Sequence, residues 1–224
     1  MSFFKDTPLA SSHSVKISVA IPELHDLITA LLRHWDIEPC LPGREALELQ
    51  VANGGSQLFL NPCDGPQETL ALPFKLEELW LTLQAHLFDP PREHFRIPVR
   101  LRGTLRQGEM CDDFLSVSLS DAGMRFEFFR ELARDEEVTL ELPLNEGLLV
   151  IDGRVIYCVP TRNSGSMIIG VVYKLHQEPL KEQVRAYLVE TTLRQVRDQM
   201  DHQSYYSALT HLALSDASRR RLEA

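Results

Sequence analysis

The chain is short of positive charge. Its 224 residues carry 23 Lys and Arg against 32 Asp and Glu, a formal net charge of −9. That balance excludes a general nucleic-acid binder, because phosphate attraction needs a basic surface. Any anion it holds must meet a local cluster of arginines. Cysteine is sparse as well. Cys40, Cys63, Cys111 and Cys158 form no CxxC pair, and none has a histidine at metal-ligand spacing. Reduced thiols and no metal are expected. No run reaches the roughly 18 apolar residues of a membrane helix. The opening Met1-Ser2-Phe3-Phe4-Lys5-Asp6 lacks the apolar core of a signal peptide. The expected location is therefore cytoplasmic, without membrane insertion. Also missing are a nucleophile motif, a phosphate loop, a zinc constellation and paired acids in a recognisable setting. The histidines at 13, 25, 34, 86, 94, 176, 202 and 211 are scattered. Neither an enzyme nor a cofactor is expected.

What is present is ordinary globular composition, 44% apolar and 25% charged, in a length that suits one large or two small domains. Residues 1–13 read as a loose polar leader and 15–20 as a buried strand. Pro22 opens a helix where its missing N–H costs nothing. Leu24, Leu27, Ile28, Leu31 and Leu32 extend it at helical spacing over 22–35. A strand follows at 37–41. A second helix is predicted over 43–51, stopped by Asn53-Gly54-Gly55. Strands are predicted at 57–60 and 69–72, and a helix at 76–88 with Leu76, Leu79, Trp80, Leu83 and Leu87 as its stripe. This alternation argues for an α/β layer on a parallel sheet.

Over residues 15–88 this half resembles a response-regulator receiver that has lost pieces. The resemblance rests on the first βα unit, on Leu58-Phe59-Leu60-Asn61 with Asp64-Gly65, and on Leu72-Pro73-Phe74. It implies no phosphoryl transfer. Ala20, Ile21 and Pro22 stand where metal-binding acids belong, and Asn61 stands at the phosphoacceptor position. A docking surface is the expected role.

Phe88-Asp89-Pro90-Pro91 breaks the helix and stiffens the link. From Ile97 the period becomes two. Ile97, Val99, Leu101, Gly103 and Leu105 alternate with Pro98, Arg100, Arg102, Thr104 and Arg106. Strands at 114–119, 123–129, 137–142, 148–157 and 167–173 predict a small antiparallel barrel. A long helix follows over 179–200, then a short one near 205–214. The tail is expected to fray at Arg219-Arg220-Arg221. The expected fold is thus α/β plus β, divided into 1–88, a linker at 89–96, a barrel at 97–178, and a C-terminal helix and tail at 179–224.

Three elements across 92–175 stand out. Arg92 and Arg96 form an RxxxR just before the first barrel strand. Ser118-Leu119-Ser120-Asp121-Ala122-Gly123 forms a serine–glycine turn. Gly153-Arg154-Val155 and Gly170-Val171-Val172-Tyr173 follow on later strands. In this order they resemble the PilZ family, the small barrels that sense cyclic di-GMP. The resemblance implies that Arg92, Arg96, Ser118, Ser120, Gly123 and Gly153 meet that ligand. Arginine suits it, since a guanidinium fork pairs with phosphate and with the O6/N7 edge of guanine, and stacks on purines. Ser118 stands where the family uses aspartate or asparagine. A carboxylate there accepts from the N1–H and N2–H of guanine, and losing one such contact costs roughly 1–3 kcal/mol. Gly153 reads more simply as a packing or bulge glycine.

The resemblance implies a cyclic di-GMP effector in which binding changes domain arrangement or partner binding. The alternative is an adaptor that binds no ligand and acts only through protein–protein contact. The partner protein is unidentified in either case. The helix after Pro179 can pair with a second copy, as a homodimer, or pack on its own barrel.

Overall fold

A computed structural model describes residues 14–39, 47–51, 54–62, 65–145, 147–161, 165–174 and 178–224. The expectations for the leader, for residues 43–46, for Cys40 and Cys63, and for turns at 63–64 and 162–164 lie outside those residues. The chain divides into two compact units. One comprises Met1–Arg92 with Leu193–Ala224, and the other Glu93–Thr192.

In the first unit, β1 (Ser14–Val19), β2 (Glu38–Pro39), β3 (Leu47–Val51), β4 (Gln57–Pro62) and β5 (Glu68–Ala71) form one sheet in the order β2-β1-β3-β4-β5. The helix α1 (Pro22–His34) packs on β1, with Leu24, Leu27, Ile28, Leu31 and Leu32 buried as its spacing predicts. A second helix, α2 (Leu76–Leu87), buries Leu76, Leu79, Trp80 and Leu83. The sheet corrects the all-parallel expectation. β1 runs parallel to β2 and β3, but β3–β4 and β4–β5 are antiparallel. The cause is the segment predicted as a second helix, whose described part is strand β3. Leu47, Leu49 and Val51 are buried while Glu48 and Gln50 are more exposed, which is a period of two.

The C-terminus completes this unit. After α3 (Glu178–Arg197) come α4 (His202–Ala208), a 3₁₀ turn (Leu209–His211) and α5 (Asp216–Glu223). α4 packs on α1. Phe74 N–H donates to His211 O at 3.1 Å, and Ala213 N–H donates to Phe74 O at 2.8 Å. Residues 219–221 are helical rather than frayed. Ser215 caps α5 by accepting from Ser218 N–H at 3.1 Å, and Leu222 is buried.

The second unit is a closed antiparallel barrel. Its strands are β7 (Arg102–Gln107), β8 (Met110–Ser120), β9 (Gly123–Phe128), β10 (Glu137–Leu144), β11 (Gly147–Pro160) and β12 (Met167–Tyr173). They run in the order β8-β7-β10-β11-β12-β9, and β8–β9 pairing closes the ring. Phe114, Phe126 and Phe128 stack inside, with centroids 4.6 and 6.2 Å apart in succession. A short β6 (Arg96–Pro98) pairs with the end of β8. The sequence predicts one strand from Ile97 onward, whereas β6 and β7 are separate. Buried Ser116 fills the break. Its Oγ donates to Val99 O at 2.5 Å and accepts from Leu101 N–H at 2.7 Å.

Candidate functional site

The serine–glycine turn joins β8 to β9, and β6 lies along β8 with Arg96 opposite Ser120. This register carries Arg96 onto the two serines. Its Nη1 donates to Ser118 Oγ at 3.1 Å and its Nη2 to Ser120 Oγ at 3.2 Å. Both serines are buried. Ser120 Oγ also donates to Gly123 O at 2.9 Å and accepts from Gly123 N–H at 3.2 Å. A hydroxyl has one proton and two lone pairs, so Ser120 is fully used in holding the turn and Arg96. At Gly123, β9 lies close against the backbone of β12. A Cβ there would lie 2.3 Å from Val171 O, so no side chain fits.

A β-bulge places a residue that sequence spacing does not reveal. Ser116 pairs with Phe126, but Ser118 pairs with Arg125 rather than with Met124, because the register shifts between Ser116 and Ser118. Arg125 Nε donates to Ser118 Oγ at 3.0 Å. Two guanidinium groups thus converge on one serine. The period-two face shared by Gly123 and Arg125 was the available signal, but only the bulge sets Arg125 opposite Ser118.

Around this centre, Asp121 accepts from Arg185 Nε at 2.9 Å, and His94 Nδ1 lies 3.2 Å from its other oxygen. Arg185 stands on α3 and is bound also by Glu182 and Glu178. Burial opposes its charge, but the bonds to Asp121 and Glu182 outweigh burial and hold its pKa above the ordinary arginine value. The buried Tyr173 hydroxyl has no hydrogen-bond partner among the described residues. Burial pushes its pKa up. Arg96 draws it part of the way back, while Asp121 raises it further.

The structure brings together Arg96, Ser118, Ser120 and Gly123. Arg92 is exposed in the segment before β6, and the division between the units falls just after it. Gly153 is on β11 opposite Tyr173, where a Cβ would strike Val171 Cγ1 at 2.4 Å. It serves the packing of β11 on β12, and it borders a shallow polar hollow with Arg106, Thr139 and Lys174. Among the described residues, no three His, Cys, Asp or Glu are grouped to hold a metal, and no helix is long and apolar enough to cross a membrane.

Comparison with known proteins bears on the same stretch. The family profile described as "PilZ domain" matches residues 90–190. Solved structures similar to the chain include the PilZ domain with c-di-GMP of YcgR from Escherichia coli. It is 15% identical, covers 48% of this chain and 95% of that one, and gives a TM-score of 0.40. The K. pneumonia MrkH–c-di-GMP complex is 18% identical over 63% and 72% of the two chains, with a TM-score of 0.41. The Bacillus subtilis inhibitor of motility (MotI/DgrA) is 13% identical over 62% and 72%, with a TM-score of 0.42. No curated protein matches the chain. With the profile match and the closed six-stranded barrel falling on one stretch, residues 90–190 of this chain are a PilZ domain.

Proposed function

We propose that the barrel is a receptor for cyclic di-GMP and that the chain acts as an effector whose output is a change in domain arrangement or in a protein partner's binding. The observation that carries this reading is the convergence of Arg96 on Ser118 and Ser120 beside the Gly123 turn, inside the segment that matches the family profile. The site is cationic. Arg96 and Arg125 donate to hydroxyls, and the carboxylate next to Ser120, Asp121, is bound to Arg185. The two phosphodiesters of the cyclic dinucleotide meet charge of the opposite sign there. Arg92, exposed and four residues ahead of Arg96, is the second arginine of the pair and closes on the ligand from the linker.

The test is isothermal titration of cyclic di-GMP into the full chain and into an Arg92→Ala/Arg96→Ala variant. Micromolar or tighter binding that the variant loses, by roughly two decades or more for two charge-assisted contacts, supports the receptor. The competing reading is a PilZ-like adaptor without ligand. It draws on the burial of Ser118 and Ser120 beneath Arg96. Absence of heat from the unmodified chain favours it and moves the search to partner proteins.

A further inference from the structure

The hydrogen-bond inventory at Ser118 has a consequence for what the site can read. A hydroxyl offers two lone pairs and one proton. Arg96 Nη1 and Arg125 Nε take both lone pairs. Only the proton of Ser118 is left, and it donates. Ser120 is saturated by Arg96, Gly123 N–H and Gly123 O. The other side chains on these two hydroxyls are guanidinium donors, and the adjacent carboxylate, Asp121, is bound to Arg185. Arg125 spends Nε on Ser118, and its Nη atoms make no hydrogen bond or ion pair with the described residues. It is half-buried on β9, and the Nε bond to Ser118 anchors its fork.

We infer that Arg125 is a ligand-binding, specificity-determining residue and that the Ser118 position reads hydrogen-bond acceptors, not the N–H edge of guanine. This rests on the receptor reading above and refines it. A carboxylate at 118 would accept from guanine N1–H and N2–H. Here the Ser118 hydroxyl has only its proton left to offer, so the 2-amino group of guanine finds no acceptor on that side chain. The fork of Arg125 instead matches two adjacent acceptors, which are the O6 and N7 of a purine or two oxygens of a phosphate. The two sources share one chemistry.

The test compares three ligands by titration calorimetry on the full chain. They are cyclic di-GMP, its hypoxanthine analogue (without the 2-amino group) and its 7-deaza analogue (without N7). An Arg125→Ala variant, with its fold checked by circular dichroism, is run beside the unmodified chain. The expected result is binding of the guanine and hypoxanthine ligands within about threefold, with affinity for both lost about tenfold or more in Arg125→Ala. A matching loss with the 7-deaza ligand assigns the fork to the base edge, and unchanged affinity assigns it to phosphate. A tenfold preference for guanine over hypoxanthine, or a folded Arg125→Ala variant that binds as tightly as the unmodified chain, overturns the inference and leaves the receptor standing. Silence of the unmodified chain toward all three ligands overturns both. If Arg125→Ala does not fold, the guanine-to-hypoxanthine ratio on the unmodified chain decides.

Discussion

At the scale of single residues, two buried tyrosines carry hydroxyls with no partner among the described residues, Tyr173 beside Arg96 and Tyr205 in α4. A buried polar group that is never satisfied costs free energy. Tyr205→Phe removes the unsatisfied oxygen and keeps the ring, so its expected effect is neutral to stabilising, by up to about 1 kcal/mol in urea unfolding. Burial pushes the Tyr205 hydroxyl up to about 12, against roughly 10 in the unfolded chain. The folded state therefore holds the proton longer than the unfolded state. Below about pH 10 both forms are protonated and the contribution is complete. As pH rises from about 10 to 12 the unfolded state ionises first, and stability falls. Tyr205→Phe is expected to flatten that alkaline decline. An equally steep decline in the variant would assign it to other groups. The candidate site was only partly legible at this scale. Arg96, Ser120 and Gly123 follow from a motif because they sit at fixed offsets in sequence. Arg125 does not, because a one-residue bulge decides its neighbour and no residue type announces that bulge.

At the scale of elements, α3 is tied to the barrel at the turn that holds the candidate site. Arg185 reaches Asp121 at 2.9 Å, and Asp121 is one residue past Ser120. Asp121 is the more deeply covered partner, with 12% of its side chain exposed against 30% for Arg185. Losing the arginine leaves that carboxylate without its main donor. Arg185→Met keeps the apolar stem and removes the charge. The expected cost is about 1–3 kcal/mol, as for a hydrogen bond to a charged group, with faster amide exchange in residues 178–192. A change below about 0.5 kcal/mol would mark the pair as solvent-screened. Ser116 makes a related case within the barrel. Ser116→Ala strands Val99 O and Leu101 N–H, and about 1–3 kcal/mol of destabilisation is expected in the same assay. Most elements were legible because their apolar residues keep one period over enough length, as in α1, α2 and β9 to β12. The stretch ending at Val51 was misread because Leu47 and Val51 are four apart and fit a helix, while Leu49 between them fits only a strand. The break between β6 and β7 was hidden because Val99 and Leu101 keep the alternation through it, and the serine that replaces the ladder lies on another strand.

At the scale of the whole molecule, the first unit is built from both ends of the chain, and periodicity has no means of announcing that. The long helix after Pro179 is legible in sequence, but where the helices beyond it pack is not. Tyr205, Leu209, Leu212 and Leu222 are all buried, and α4 lies on α1. Each such side chain contributes roughly 1.5–3 kcal/mol by leaving water. Four of them together are comparable with the about 5–15 kcal/mol by which a typical domain is stable. A chain cut after Thr192 is therefore expected to lose the first unit's cooperative fold, even though residues 14–92 remain. Hydrogen exchange read by mass spectrometry separates the outcomes. Protection should collapse over α1 and α2, while strands β7 to β12, whose ladder closes on itself, keep theirs. The point variant Leu222→Asp puts a charge into the same packing without shortening the chain, and should lower protection over α1 in the same direction but to a smaller extent. Unchanged protection of α1 in both proteins would make residues 193–224 a dispensable cover. The opposite result would mean that a cut made behind the PilZ domain also dismantles the unit encoded by the start of the chain, so that the proposed binding and output have to be tested on the full 224 residues.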